Sequence, residues 1–144
     1  MLHHLSIPAR EPERVARTLA ELLGGDVTPF GPLPGSWIAW ARDEAGTAIE
    51  CLPLDTELRP GDGADGARFA IAEHPSPFGA THAALSVDRS EEEIRAVAER
   101  GGWRAVRCER GPFSVVEVWV ENAVMLEFLT PDMAADYLAA VRSG

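Results

Sequence analysis

The chain has 144 residues, of which 46% are hydrophobic and 25% are charged, and its formal net charge is −10. These values predict one soluble globular domain, 1–144, with a core of its own. The acidic balance disfavours nucleic acid and anionic membranes as partners, because both select basic surfaces. With no apolar run of about 18 residues, no signal-peptide pattern and only two cysteines, we expect a cytoplasmic protein.

The first predicted elements are a strand and a helix. The alternating segment HLSI begins at His4, and a helical segment at 11–25 follows it. Pro12 suits the first turn of this helix, and Gly24 suits its end. The segments SWIAWA and TAIECLPL then predict two strands, whereas GGDVTPFGPLP is a poor strand candidate because it contains three prolines.

The middle of the chain, 56–80, predicts a connector rich in Pro, Gly and Asp. Connectors of this length are uncommon in compact domains and often act as lids or binding loops. Its apolar island at 69–72 predicts one short extra strand. Phe69, Ile71 and Phe78 are large and apolar, and we therefore expect them to be buried.

The second part of the chain repeats the order of the first. HAALSV, which begins at His82, predicts a strand, and Ser90 and Glu93 predict a capping box at the start of a helix that ends at Gly101. Three strands follow in WRAVRCER, FSVVEVWV and VMLEFL. The last segment, 133–144, predicts a C-terminal helix.

Matching features recur at a nearly constant offset. His4 and His82 are 78 residues apart, Glu50 and Glu127 are 77 apart, and the double glycines that end the two helices are also 77 apart. Three features in the same order at this spacing indicate an internal duplication.

Two histidines and two glutamates emerge from this duplication as candidate metal ligands. Strand alternation places each of them on the face opposite its apolar neighbours. The duplication should then bring His4, Glu50, His82 and Glu127 onto one cupped surface. Imidazole nitrogen and carboxylate oxygen are good ligands for a divalent ion of Zn, Ni, Co, Mn or Fe. His3 faces the other way and has no counterpart in the repeat.

Other readings of these residues are open at this point. A single histidine at the start of a strand is more often structural or solvated than a ligand. Glu117 or Glu121 could be a spare acid or base in the cup, although a solvated edge position is the commoner case for both. Cys51 faces the core and is expected to be an inert thiol.

The ligand positions, together with the segment DEAGTAIE at 43–50, resemble the vicinal-oxygen-chelate superfamily. This group includes glyoxalase I, extradiol dioxygenases, fosfomycin-modifying enzymes and bleomycin-resistance proteins. The resemblance implies an α+β fold in which two tandem βαβββ modules form a cupped mixed sheet. In this chain the parts are the first module 1–55, the connector 56–80, the second module 81–132 and the C-terminal helix 133–144. The four-ligand set is most similar to glyoxalase-I-like members, although the first helix lacks their Phe-Tyr pair.

The resemblance implies a glyoxalase-like metal-dependent lyase or isomerase that acts on a small molecule with adjacent oxygens. The metal would stabilise a developing enolate, and Glu127 or Glu50 would accept the proton. One alternative is a non-enzymatic protein that binds a small molecule, such as an antibiotic-resistance factor, because bleomycin-resistance-type members keep the cup without a metal. A dioxygenase is a further alternative, but that class usually uses two His and one carboxylate. The sequence leaves open the substrate, the metal, and whether the modules pair within one chain or between the chains of a homodimer.

Overall fold

The computed structural model describes residues 3–62 and 65–143. Two βαβββ modules, a hairpin between them and a C-terminal helix make up the fold, which confirms the predicted α+β class. In chain order the elements are β1 (His4–Ala9), α1 (Pro12–Leu23), β2 (Asp26–Pro29), β3 (Trp37–Trp40), β4 (Ala48–Pro53), β5 (Thr56–Arg59), β6 (Arg68–Ile71), β7 (Ala83–Ser86), α2 (Glu91–Arg100), β8 (Arg104–Glu109), β9 (Ser114–Val120), β10 (Val124–Leu129) and α3 (Pro131–Ser143).

Each module forms its own four-stranded mixed sheet. The strand order is β1-β4-β3-β2 in the first module and β7-β10-β9-β8 in the second. In both sheets the first strand runs parallel to the last strand of its module, and the other pairs are antiparallel. β1 and β7 each have one hydrogen-bonded neighbour and lie at one edge of their sheets, and β2 and β8 lie at the other edges.

The strand β2 lies in the segment that was a poor strand candidate, so that expectation was wrong. Asp26–Pro29 pairs with β3, and the indole of Trp40 donates a hydrogen bond of 2.9 Å to the Thr28 hydroxyl. Pro29 is the last residue of this strand, and the strand lies at the sheet edge, where a missing N–H removes no bond from the ladder.

The helix α1 begins and ends as its sequence predicts. Pro12 occupies its first turn, and Gly24 follows its last residue with a left-handed φ of 72°. Gly25 has a different role, because a Cβ at this position would lie 1.7 Å from the carbonyl oxygen of Trp40. The double glycine therefore both ends the helix and lets the chain pass against β3.

The helix α2 has the predicted capping box. The Ser90 hydroxyl accepts a hydrogen bond from the Glu93 backbone N–H at 3.2 Å, and the Glu93 carboxylate accepts one from the Ser90 N–H at 2.7 Å. At its C-terminal end the left-handed residue is Gly102, with φ 74°, whereas Gly101 stays right-handed. The turn thus comes one residue later than predicted.

A single hydrophobic core joins the two modules. It contains the inner faces of both sheets and the buried faces of α1 and α2, with Ile7, Leu19, Ile49, Ile94, Val116, Val118 and Phe128 among its members. The two helices also pack against each other. Glu121, in the β9–β10 turn, accepts hydrogen bonds from the backbone N–H groups of Arg10 and Glu11 at 2.7 and 2.9 Å. The second module thereby caps the first helix, whose own N-cap side chain makes no capping bond.

The connector contains the predicted extra strand, as β6 in a hairpin with β5. The expected burial of its apolar side chains is wrong for a single chain, since Phe69 is 37% exposed, Ile71 is 77% exposed and Phe78 is 68% exposed. The hairpin pairs with itself and not with either sheet. Ile71 and Phe78 are consequently not covered by any part of the chain that the structure describes.

The helix α3 follows Thr130, whose hydroxyl accepts a hydrogen bond from the Met133 N–H at 3.3 Å. Met133 is buried in the core, whereas Leu138 and Val141 are exposed. Within the described residues, no helix is both long enough and apolar enough to cross a membrane.

Candidate functional site

In the first module, the predicted ligands lie on the face of the sheet that points away from the core. Ile49 and Cys51 are buried in the core. Glu50, between them, therefore points to the open face, together with Ser6 on the neighbouring strand. The Ser6 hydroxyl donates a hydrogen bond of 2.6 Å to Oε2 of Glu50.

In the second module, Glu127 lies on the corresponding open face. Its neighbours in the strand, Leu126 and Phe128, are fully buried. Glu117 on β9 is directly opposite Glu127, so the two carboxylates share this face. The sequence favoured a solvated edge position for Glu117. Its side chain is instead only 15% exposed and takes part in the site.

The duplication extends to the register of the strands. In the first module His4 is opposite Ala48, two residues before Glu50. In the second module Ala83 is opposite Leu126. His82 directly precedes β7, and the same register carried back by one residue places it opposite the position two residues before Glu127. Each module therefore presents one histidine and one glutamate at equivalent positions of a parallel strand pair.

Arg110 is a site residue that the sequence did not reveal. It lies in the β8–β9 turn, and its Nη2 contacts Oε1 of Glu117 at 2.5 Å and Oε1 of Glu127 at 3.1 Å. Its Nε also contacts Oε1 of Glu127, at 3.3 Å. The indole of Trp119 donates a hydrogen bond of 3.1 Å to the other oxygen of Glu117. The only signal in the sequence was the pair of acidic residues on one face of adjacent strands, which requires a nearby cation.

The electrostatics of this cluster follow from its contacts. Burial alone would raise the pKa of Glu117, but hydrogen bonds from Arg110 and Trp119 outweigh it and hold that pKa below its ordinary value of 4.5. The hydrogen bond from Arg110 to Glu117, followed by the one from Arg110 to Glu127, raises the pKa of Arg110. Loss of solvent raises the pKa of the adjacent Cys108 thiol, and Glu117 raises it further. Arg110 and Glu117 are therefore both charged at neutral pH.

The two histidines are exposed and stand apart from these contacts. His4 begins β1, while Nδ1 of His82 is 3.4 Å from the Ala80 carbonyl oxygen. Among residues 3–62 and 65–143, no three His, Cys, Asp or Glu side chains come together as a group that could hold a metal ion. One chain brings Ser6 to Glu50, and Arg110 to Glu127, but it does not assemble the four predicted ligands at one point.

A cavity of about 290 Å³ adjoins the open face of the first sheet. Ser6 and Leu52 form its wall on the sheet side, and Leu58 and His74 are among the connector residues that line the other side. The connector thus lies beside Ser6, the hydrogen-bond partner of Glu50, although none of the four predicted ligands lines this cavity.

Comparison with known proteins identifies the fold. No protein-family model and no curated protein matches the chain. Among solved structures, the fosfomycin resistance protein FosX from Mesorhizobium loti matches with a TM-score of 0.56 and 11% identity, over 95% of this chain and 96% of that one. A glyoxylase/bleomycin resistance protein/dioxygenase domain from Frankia sp. EAN1pec matches with a TM-score of 0.55 and 13% identity, over 90% and 96%. The chain has the vicinal-oxygen-chelate fold.

Other chains with this fold differ in activity. The oxidase ChaP-H1 matches with a TM-score of 0.54 and 20% identity, over 90% of this chain and 94% of that one. The vicinal-oxygen-chelate fold thus includes resistance proteins and oxidases. At these identities the likeness shows the fold alone, and the activity has to be argued from the site.

The donor chemistry of the chain is compatible with the divalent metal that the vicinal-oxygen-chelate fold often binds. Glu50 has Oε2 held by Ser6, and Glu127 has Oε1 held by Arg110. The other oxygen of each carboxylate accepts no hydrogen bond from the part of the chain that the structure describes, and is available to a cation. Exposed imidazoles at His4 and His82 complete a nitrogen and oxygen set of the kind that zinc and its neighbours prefer.

Proposed function

We propose that the protein is a glyoxalase-like, metal-dependent lyase or isomerase acting on a small molecule with two adjacent oxygens. The observation that carries this proposal is the matched register of the two modules, in which His4 with Glu50 and His82 with Glu127 occupy equivalent positions. Each module then supplies one nitrogen and one oxygen ligand, and two modules facing each other supply a complete set.

The cup that holds the metal is formed, in this proposal, by the first module of one chain and the second module of another. Within a chain the modules meet through α1, α2 and the cap at Glu121, and the histidines and glutamates do not gather. Among the residues that the structure describes, β1 and β7 each have one edge without a strand partner, which supports such pairing. Exposed Ile71 and Phe78 give a homodimer apolar surface to cover.

The reaction requires a Lewis acid and a base. A divalent metal, when bound, would polarise the two adjacent oxygens of the substrate and so acidify the neighbouring carbon. Glu127 and Glu50 are the two candidates for accepting the proton from that carbon, since each has one free carboxylate oxygen on the open face. The same carboxylate can return the proton to the adjacent carbon, which completes an isomerisation.

The proposed location of the protein is a reducing, cytoplasmic compartment, because Cys51 and Cys108 are both free thiols.

One observation favours a second candidate function, a binding protein that needs no metal. Arg110 already supplies a positive charge to Glu127. If this guanidinium is the only cation that the cup holds, the open faces form a pocket for an intact small molecule, as in an antibiotic-binding resistance protein.

Metal content separates these two functions. We expect protein purified without chelator or histidine tag to retain a divalent metal, measured by plasma mass spectrometry. His4→Ala and His82→Ala should lose it. His3→Ala is the matched control, since His3 is a neighbouring exposed histidine that contacts the Ala45 carbonyl oxygen. Equal metal content in all four proteins would contradict the proposed site.

Proton exchange tests the chemistry. In heavy water, metal-loaded protein should exchange the proton next to the carbonyl of an α-hydroxy ketone faster than metal-free protein does, as followed by NMR. Glu127→Gln or Glu50→Gln should slow this exchange, because an amide cannot accept the proton. A panel of α-hydroxy and α-keto compounds with no metal-dependent exchange, alongside tight binding of an intact ligand by metal-free protein, would establish the binding function instead.

A further inference from the structure

Glu127 is the last member of a chain of hydrogen bonds on the open face of the second sheet. The indole of Trp119 donates to Oε2 of Glu117, and Oε1 of Glu117 accepts from Arg110. Arg110 in turn donates from both Nε and Nη2 to Glu127. We call Trp119, Glu117 and Arg110 the Glu127 relay.

The relay forms hydrogen bonds with Oε1 of Glu127 and with no other atom of that carboxylate. Both guanidinium contacts, at 3.3 and 3.1 Å, are to Oε1. The Glu127 side chain is 12% exposed, and that of Arg110 is 35% exposed, so solvent screens this contact less than it screens a surface ion pair. A carboxylate held in this way has a fixed orientation, with Oε2 as the oxygen that a cation can reach.

The charge of Arg110 does not repel a cation as an isolated guanidinium would. Glu117 lies directly opposite Glu127 and forms its own ion pair with Arg110. The pair Arg110 and Glu117 is neutral overall, which leaves the charge of Glu127 for an incoming metal ion. Without Arg110, the two carboxylates would be like charges facing each other across neighbouring strands, which is destabilising.

The first module has a simpler version of the same arrangement. Ser6 is opposite Glu50 in the strand register, and its hydroxyl holds one oxygen of that carboxylate. The equivalent position opposite Glu127 is Ala84, which has no donor. Each glutamate therefore has one oxygen held by a donor, but in the second module the donor comes from the β8–β9 turn.

We propose that Arg110, backed by Glu117 and Trp119, is a positioning residue that orients Glu127 for metal binding. The inference rests on the proposed metal site, and it makes the two halves of that site unequal. Glu50 is held by a neutral hydroxyl, whereas Glu127 is held by a charged and half-buried relay. Hydrogen-bond partners of ligating groups contribute to metal affinity in this way, and their removal typically weakens it by about 10- to 100-fold.

Titration with Co²⁺ tests this role, because visible absorption reports both affinity and ligand geometry. Arg110→Met should weaken Co²⁺ binding by about 10- to 100-fold and change the absorption spectrum. Arg107→Met is the matched control: Arg107 also bonds two carboxylates, Glu91 and Glu109, and it lies on the helix side of the second sheet. It should leave the Co²⁺ affinity and spectrum unchanged.

A rescue variant distinguishes positioning from a general loss of structure. Ala84→Ser in the Arg110→Met background places a hydroxyl where Ser6 stands in the first module, and should recover part of the Co²⁺ affinity. If Arg110→Met does not fold, Arg110→Lys provides the same test, since one ammonium group cannot place two N–H groups of a rigid fork on Oε1. Arg110→Lys should then weaken Co²⁺ binding in the same direction as Arg110→Met, but by a smaller factor.

Three results would overturn the inference. First, Arg110→Met, or Arg110→Lys in its place, could bind Co²⁺ as tightly as the wild type or more tightly. Arg110 would then be a bystander or a competitor of the metal. A loss of affinity that Ala84→Ser does not reduce would assign the effect to disrupted charge pairing. A wild-type protein that binds no Co²⁺ would remove the proposed metal site itself, and the inference with it.

Discussion

The cap that the second module places on α1 gives the sharpest test of how the two modules are joined. Glu121 accepts hydrogen bonds from the backbone N–H groups of Arg10 and Glu11, at 2.7 and 2.9 Å. Both donors directly precede Pro12, the first residue of α1, where the helix dipole favours a negative charge. Glu121→Ala removes both bonds and this charge without touching the hydrophobic core.

The expected loss of stability can be worked out from these contacts. A hydrogen bond to a charged group contributes about 1.5–3 kcal/mol when buried. Because this cap is exposed to solvent, we take about 1 kcal/mol for each bond. The interaction with the helix dipole adds about 0.3–1 kcal/mol. Glu121→Ala should therefore lower the free energy of unfolding by about 2–3 kcal/mol.

Urea unfolding followed by circular dichroism measures this change. The midpoint should fall, while an unchanged slope would show that the same surface is exposed on unfolding. Glu44→Ala is the matched control, because Glu44 is an exposed glutamate that makes no hydrogen bond to the residues the structure describes; it should change the free energy by less than about 0.5 kcal/mol. Equal effects of the two substitutions would refute the inter-module cap.

Two further predictions concern the second helix and the thiols. Hydrogen bonds with Ser90 hold the pKa of Glu93 below its ordinary 4.5, so this contribution to stability is present above that pH and is lost as the pH falls through the folded-state pKa. Glu93→Gln should then destabilise the protein at neutral pH and by less at about pH 3, where the wild-type carboxylate also loses its charge; an equal difference at both pH values in thermal melts would contradict the capping box. Because burial raises the pKa of both cysteines, a thiol reagent should modify partly exposed Cys108 slowly at neutral pH and faster as the pH rises, and should reach buried Cys51 only after unfolding. Fast labelling of two thiols in the native protein would be the opposite result.

The sequence predicted what depends on local pattern. Helix periodicity, Pro12, Gly24 and the Ser90 capping box are signals within one turn of the chain, and α1 and α2 form where those signals lie. Strand alternation likewise predicted that Glu50 and Glu127 face away from the core, because their neighbours are apolar.

Features that depend on distant parts of the chain were not predictable in the same way. The strand β2 forms because Thr28 and its neighbours find a partner in β3, in spite of the prolines. Arg110 lies in a turn, where no alternation rule gives the direction of a side chain. Ile71 and Phe78 are apolar but exposed, since the residues that the structure describes provide no surface that buries them. The gathering of the four ligands depends in the same way on how modules pair.

A mixed-chain metal assay tests the central claim most directly. One chain carries His4→Ala with Glu50→Ala, and a second, differently tagged chain carries His82→Ala with Glu127→Ala. If the cup joins the first module of one chain to the second module of another, neither variant alone has a complete site. A mixed dimer then has one site with all four ligands intact.

We therefore predict no bound metal in either variant alone and about one divalent ion per mixed pair of chains, measured by plasma mass spectrometry after tandem affinity purification with tags that contain no histidine. Wild-type protein treated in the same way should hold about one ion per chain. A mixed dimer that holds no metal, while the wild type does, would contradict a site shared between two chains.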